Sequence, residues 1–315
     1  MFYNCAALAT LDVSMFNTSA ATDLSRAFHG CKSLTELDLS RASTAKVQTF
    51  HGMFSGCSGL KRIDLSLLDT SSAVDLSYLF ANCSKLEAVN VAGINTSSVT
   101  DFNHMFSECS SLTSLDLSSF DTSAAKNLSL LFYNCASLAT LDLSSFDTSN
   151  VETMADLFTG CSRLAEVTLG ESFAWVGSKC FLPQPSAGDI PGADGLWHAA
   201  SDGVSYRPSA VPGNKADTYR AVAPGGEGDA AEDDSDVSNG ADPIDAAESA
   251  NGAGAAEDSG NAGCAGSENA AGGAGAPDSE NHAIAAESMM ALGHEDYMTA
   301  LAMANPSAAA PSVVA

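Results

Sequence analysis

The stretch Leu138–Ser149 reads LATLDLSSFDTS, and earlier copies of it fill most of the chain before it. Each copy starts at a cysteine, and every interval between successive cysteines is 26 residues: Cys5, Cys31, Cys57, Cys83, Cys109, Cys135 and Cys161. A fixed period of this length predicts a solenoid, in which each unit buries its apolar face against its neighbours. We therefore look for function on the surface of a stack rather than in a single pocket.

Each repeat carries three local patterns. The first pattern is the leucines Leu138, Leu141 and Leu143. The last two are two residues apart, which predicts a short strand with its leucines inward. The triplet Asp147–Ser149 then predicts a turn. Apolar residues at helical spacing follow and predict a short helix: Val151, Met154, Leu157, Phe158 and Cys161. The predicted fold is an α/β repeat solenoid with one short parallel strand and one short helix per 26-residue repeat.

Charge divides the chain into two parts. Residues 1–220 carry 22 acidic and 13 basic side chains, whereas residues 221–315 carry 17 acidic side chains and neither Lys nor Arg. An anionic chain repels phosphate backbones and acidic membrane surfaces, so we expect no nucleic-acid partner. No apolar run is long enough for a transmembrane helix, so we expect no membrane insertion.

Composition and period together predict four segments. Residues 1–170 form the repeat domain, and residues 171–220 lose the period, gain Trp and Pro, and are expected to cap the last repeat. Residues 221–280 are rich in Gly, Ala, Ser and acidic residues, which predicts a disordered linker. Residues 281–315 form a tail in which apolar spacing predicts a short amphipathic helix.

The residues Phe132–Ser149, with the pattern Phe-x-x-Cys-x-x-Leu-x-x-Leu-Asp-Leu-Ser-x-Phe-Asp-Thr-Ser, resemble the leucine-rich repeat of bacterial BspA-like surface proteins. The resemblance covers residues 1 to about 170 and extends to the segments Gly195–His198 and Asn214–Tyr219. It implies an extracellular, cell-surface protein that is associated with adhesion, and it implies no catalytic residues. The chain departs from the family in showing neither a signal peptide nor an anchor.

In each repeat, one residue lies between the two inward strand residues and so points out of the predicted sheet. We name the acidic and amide residues at this position the acidic ladder. Its members are Asp12, Asp38, Asp64, Asn90, Asp116 and Asp142. Two interpretations are open. In one, the carboxylates bond neighbouring backbone or the serines two residues later, and keep the sheet face soluble. In the other, they form an anionic strip for a basic partner or a divalent cation.

The position two residues before each ladder member varies between repeats, as Glu36 and Arg62 illustrate. Because copies within one chain differ there, the fold does not dictate this residue. Such positions are where a repeat protein encodes its choice of partner. We therefore group Glu36 and Arg62 with the ladder as candidate partner-binding residues.

Other chemistry-bearing residues give no site. Cysteines spaced by 26 residues do not make a zinc motif, and we expect buried free thiols instead of disulfides. The histidines share no repeat position, and no phosphate loop or nucleophile motif is present. We therefore expect no enzyme activity, no cofactor and no metal.

Function is thus predicted to be non-catalytic binding at a bacterial cell surface. The expected partner is a host or bacterial surface protein or glycan, engaged by the outward strand face. Two alternatives stay open: a structural spacer or stalk, and a truncated fragment of a larger surface protein. The fragment alternative arises because Met1 and Phe2 fall in the middle of a repeat and would leave its end uncapped.

Overall fold

The computed structural model of the chain describes residues 2–223. This part has a single-turn 3₁₀ helix at Pro208–Ala210 and seven short strands: β1 (Arg62–Asp64), β2 (Ala88–Asn90), β3 (Thr140–Leu143), β4 (Glu166–Leu169), β5 (Trp197–Ala199), β6 (Ser205–Tyr206) and β7 (Asp217–Arg220). The predicted linker beyond residue 223 and the predicted helix within residues 281–315 lie outside the described residues. Both stay predictions.

Strands from successive repeats lie side by side. β1 pairs with β2 in parallel and places Ile63 opposite Val89, and β3 pairs with β4 in parallel and places Leu141 opposite Val167. Along β3 the leucines are buried, whereas Thr140 and Asp142 are exposed. The period-two pattern therefore does orient the leucines inward, and equivalent residues of adjacent repeats are neighbours in space.

The predicted α/β class, with one helix in every repeat, is wrong. Residues 2–223 contain no α-helix, and the strands form a two-stranded and a five-stranded sheet. The segment predicted as helical is a run of turns in which Asp156 has φ 55° and Gly160 has φ 83°. The equivalent positions of other repeats also have positive φ: Arg26, Gly52, Tyr78, His104 and Leu130, and Gly30, Gly56, Asn82, Glu108 and Asn134. An α-helix needs φ near about −63° at every residue, so this backbone cannot be helical.

Hydrogen bonds between repeats explain why turns replace the helix. Alternate amides donate to carbonyls of the next repeat: Leu128 to Thr153 (2.9 Å), Leu130 to Ala155 (2.9 Å) and Phe132 to Leu157 (3.1 Å). Of the amides between them, Leu131 donates three residues back to Leu128 (3.3 Å), and Ser129 donates to the side chain of Asn127 (3.0 Å). A helix would use nearly all these amides within its own repeat. The turns release half of them to bond the next repeat, as in a parallel ladder.

The core is a column of stacked aromatic rings beside a column of thiols. Phe28, Phe54 and Phe80 stack with centroid distances of 5.6 Å and 5.6 Å. Each buried thiol donates to a phenylalanine carbonyl, as Cys57 does to Phe28 (3.1 Å). The predicted buried free thiols are confirmed at six positions: Cys31, Cys57, Cys83, Cys109, Cys135 and Cys161. The prediction is wrong at the seventh, because Cys5 is exposed.

The threonine of each Asp/Asn-Thr-Ser triplet links adjacent repeats. The Thr122 hydroxyl donates to the carbonyl of Asp147 (2.9 Å) and accepts from its N–H (2.9 Å). Thr96 makes the same pair of bonds to Asp121, at 2.9 Å and 2.8 Å. Thr44 is equally buried, but its hydroxyl has no hydrogen-bond partner. The triplet therefore predicts a turn, and its buried threonine also bonds the next repeat.

After the last repeat, the chain covers β4 with antiparallel strands. β7 pairs with β4, and the sheet continues to β5 and β6 in the order β3-β4-β7-β5-β6. Arg220 donates to Glu166 (2.8 Å), and the Thr168 and Thr218 hydroxyls lie 2.9 Å apart. The free edge of β4 is thereby paired, which removes a site for unwanted strand addition.

We expect Gly52→Ala to destabilise the protein by about 1 kcal/mol, because Gly52 has φ 56° and an alanine is strained there. The same change inside a helix would stabilise it by about 1 kcal/mol, since alanine is the better helix former. Urea unfolding of the two proteins measures the difference. A gain in stability would contradict the turn structure.

Candidate functional site

A groove of about 960 Å³ runs along the outward strand face of the first four repeats, and we name it the strand-face groove. It is lined by six of the predicted partner-binding residues: Asp12, Glu36, Asp38, Arg62, Asp64 and Asn90. Leucines from the same strand segments, Leu11, Leu37 and Leu39, also line it. The structure thus brings most of the predicted residues together around one open groove.

Serines hold the groove carboxylates in place. The amides of Ser14, Ser40 and Ser66 each donate to the carboxylate two residues earlier, at 2.8 Å in all three cases. Bonds from the Ser14 hydroxyl and amide hold the pKa of Asp12 below its usual value. The same two groups of the following serine lower the pKa values of Asp38 and Asp64. The carboxylates are therefore ionised at neutral pH despite being stacked one repeat apart.

These serine bonds are the ones that the first interpretation of the ladder predicted. They do not neutralise the carboxylates, because each amide occupies only part of the oxygen's hydrogen-bonding capacity. The carboxylates of Asp12 and Asp38 also remain exposed. A solubilising role and an anionic binding strip are thus compatible on the same residues.

Three predicted residues deviate from this arrangement. Asp116 and Asp142 continue the ladder in later repeats but do not line the groove. Arg62 lines it, yet its guanidinium lies 4.0 Å from Glu87, and both side chains are largely exposed. Arg62 is therefore partly neutralised at the groove wall, and the wall is acidic overall.

A large, exposed apolar side chain also lines the groove. Leu67 lines the groove and is 68% exposed. Met15, which is 91% exposed, occupies the same repeat position two copies earlier, and Arg41 lies between them in sequence register. Exposed apolar groups beside a groove are typical of binding surfaces. The sequence analysis did not select these residues, because their repeat position follows the inward pattern and was treated as part of a turn.

A second polar cluster lies on the turn segments. The His51 ring contacts Ser77 (2.7 Å) and Arg26 (3.3 Å), and Tyr78 stacks on His104 with centroids 4.5 Å apart. Burial lowers the pKa of His104 to about 4. The sequence analysis missed this cluster, since histidines without a common repeat position were not expected to meet.

Stability should fall as the pH drops from about 6.5 towards 4. Burial also lowers the pKa of His29 to about 4, so folding favours its neutral form and that of His104. This contribution to the free energy of unfolding is complete above about pH 6.5, the pKa of histidine in the unfolded chain. It is lost at lower pH as protons bind the unfolded chain. Asp101 opposes it, because burial raises its pKa.

Thermal unfolding of the wild type and His104→Gln at several pH values between 7.5 and 4.5 tests this expectation. The variant should lose less stability over that range than the wild type. Parallel pH profiles would show that His104 is not buried in its neutral form.

A third arrangement involves His198 on β5. Its Nδ1 lies 2.8 Å from the Ser205 hydroxyl on β6, and its Nε2 lies 3.1 Å from Asp194. His198 is buried, and these two contacts satisfy both ring nitrogens. The arrangement therefore accounts for a polar side chain in the hairpin core.

Within residues 2–223, no group of three or more His, Cys, Asp or Glu side chains is placed to hold a metal ion. The same part of the chain has no helix that is long and apolar enough to cross a membrane. The strand-face groove is thus the feature on which we base a function.

Stacked 26-residue units with an outward groove define a repeat protein. Two overlapping matches, to residues 1–86 and 60–170, identify its family, which is described as "Mycoplasma protein of unknown function, DUF285". The chain belongs to the DUF285 family. No curated protein matches the chain.

Proposed function

We propose that the chain is a non-catalytic binding protein of the bacterial cell surface, a BspA-like protein of the leucine-rich-repeat type. Its strand-face groove engages a protein or glycan partner. The observation that carries this proposal is the groove itself, a volume of about 960 Å³ lined by ionised carboxylates and by a position that varies between repeats. The family match supports the repeat class of the proposal.

The charge of the groove specifies the kind of partner. Asp12, Glu36, Asp38 and Asp64 outnumber Arg62, whose charge is partly offset by Glu87. A partner with cationic groups is attracted, and a polyanion is repelled. Exposed charge pairs contribute little individually, so binding depends on several of them acting together.

The triple variant Asp12→Asn, Asp38→Asn and Asp64→Asn should reduce binding to host-cell monolayers by about tenfold, since each exposed charge pair contributes about 0.5 kcal/mol. Beads coated with the full chain are counted on the monolayers. The control carries Asp116→Asn and Asp142→Asn, which alter the same ladder outside the groove.

The control should bind as the wild type does. Equal binding by all three proteins would favour the spacer alternative, in which the groove has no partner. Brief protease treatment of intact cells, with mass spectrometry of the released peptides, tests the surface location. Release of repeat peptides only after lysis would contradict it.

A further inference from the structure

We propose that the strand-face groove binds an extended basic peptide segment of a partner protein, and that one aliphatic side chain of this peptide enters a pocket beside Ala42. This inference rests on the proposed function and names the partner's chemistry. The pocket, which we name the Ala42 pocket, is apolar and has a volume of about 40 Å³.

The pocket lies where one repeat lacks a large side chain. The residue before each Asp/Asn-Thr-Ser triplet is large and apolar in the other repeats: Phe16, Leu68, Ile94, Phe120 and Phe146. Ala42 occupies this position in the second repeat and lines the pocket together with Phe28 and Met53. This volume exceeds the roughly 10–15 Å³ that one water molecule needs, but the walls are apolar, so the space suits the end of an aliphatic side chain better than water.

A buried hydroxyl in the same pocket lacks a partner. Thr44 lines the pocket and is 2% exposed, and its Oγ1 makes no hydrogen bond. The equivalent Thr96 and Thr122 each bond a backbone N–H and a carbonyl. The hydrogen bonds of this repeat therefore leave a polar group at the pocket wall unsatisfied.

The pocket and the strand-face groove are adjacent. Leu39 and Leu68 line both of them. Six large apolar side chains are exposed among residues 2–223, and two of them line these features: Leu67 the groove and Phe16 the pocket. Clustered exposed apolar groups mark an interaction site more strongly than scattered ones.

Charge selects the occupant. The groove carboxylates favour Lys or Arg on either side of the aliphatic residue, which a neutral glycan does not supply. The segment 221–315 of this chain has no Lys or Arg, and a second copy carries a net charge of −26. Both are repelled by the groove, so we assign it to a basic segment of another protein.

Three short fluorescein-labelled peptides test the proposal by fluorescence anisotropy with the full chain. The first has Leu flanked by Lys in a Gly/Ser background, the second replaces Leu by Ser, and the third replaces every Lys by Glu. The Leu peptide should bind about tenfold more tightly than the Ser peptide, because it buries an aliphatic side chain. The Glu peptide should not bind.

Ala42→Leu fills the pocket and should remove the difference between the Leu and Ser peptides while retaining the preference for Lys. Ala42→Val should remove part of it, which keeps the test valid where the larger side chain impairs folding. Ala45→Leu is the matched control, since Ala45 is exposed three residues away. It should leave both preferences unchanged.

The outcomes distinguish failure of the Ala42 pocket as an anchor from failure of the groove as a site for basic peptides. Equal binding of the Leu and Ser peptides to the wild type would overturn the Ala42 pocket as an anchor and leave the acidic groove in place. Equal binding of the Lys and Glu peptides, or no binding at all, would overturn both the pocket as an anchor and the groove as a site for basic peptides; the bead assay tests the proposed function separately. Dimerisation of the chain that Ala42→Leu abolishes would assign the pocket to a second copy and overturn the peptide proposal.

Discussion

Thr122→Val should lower the free energy of unfolding by about 2–6 kcal/mol, although valine has nearly the shape of threonine. The hydroxyl of Thr122 is fully buried and bonds both the carbonyl and the N–H of Asp147 in the next repeat. Valine leaves these two backbone groups without partners in a dry site. Each unsatisfied group costs about 1–3 kcal/mol, which gives the expected range.

Thr44→Val is the matched control for this measurement. Thr44 occupies the same position in its repeat and is 2% exposed, but its hydroxyl bonds no other group. Replacing an unpartnered buried hydroxyl by a methyl group should leave the stability unchanged or raise it. Urea unfolding of both variants gives the comparison. Equal losses would mean that the inter-repeat bonds of Thr122 do not stabilise the stack.

Phe106→Ala should destabilise the protein by about 3–5 kcal/mol, the usual cost of removing a buried phenylalanine from a packed core. Its ring is fully buried between Phe80 and Phe132, at centroid distances of 5.8 Å and 6.2 Å. The cavity would break the aromatic column in the middle of the stack. The neighbouring repeats are hydrogen-bonded to each other on both sides and cannot collapse around it freely.

Phe16→Ala is the corresponding control at a ring that is 38% exposed. This variant should lose clearly less stability, because folding of the chain removes less of the Phe16 ring from water. Denaturant unfolding monitored by Trp fluorescence suits both variants, since Trp175 and Trp197 are buried. A small loss for Phe106→Ala would contradict a tightly packed aromatic column.

The helix prediction failed for a specific physical reason. Apolar residues at Val151, Met154, Leu157 and Phe158 are spaced as on one helix face, but overlapping turns with three-residue hydrogen bonds give the same spacing. Positive φ at residues such as Leu130 and Asp156 is unfavourable for an isolated chain. Hydrogen bonds to the next repeat stabilise this backbone, and the sequence pattern within one repeat does not indicate them.

The candidate site was predictable in part. The alternation in each repeat places the ladder aspartates outward, and the structure gathers those of the first repeats around the strand-face groove. The groove ends before Asp116 and Asp142, although their local sequence is nearly identical. The sequence marks Ala42 as an exception to the repeat, but only the packing of Leu39 and Leu68 around it makes a pocket.

The sequence by itself determined the 26-residue period, the inward leucines and phenylalanines, and the outward carboxylates, because these depend on burial and on alternation along one strand. Only the tertiary structure decided that turns replace helices, that Thr122 bonds the next repeat, and that the groove is confined to the first four repeats. These features depend on hydrogen bonds and contacts between residues about one repeat apart. Such contacts form only when the repeats stack, so the spacing of residues within one repeat does not encode them.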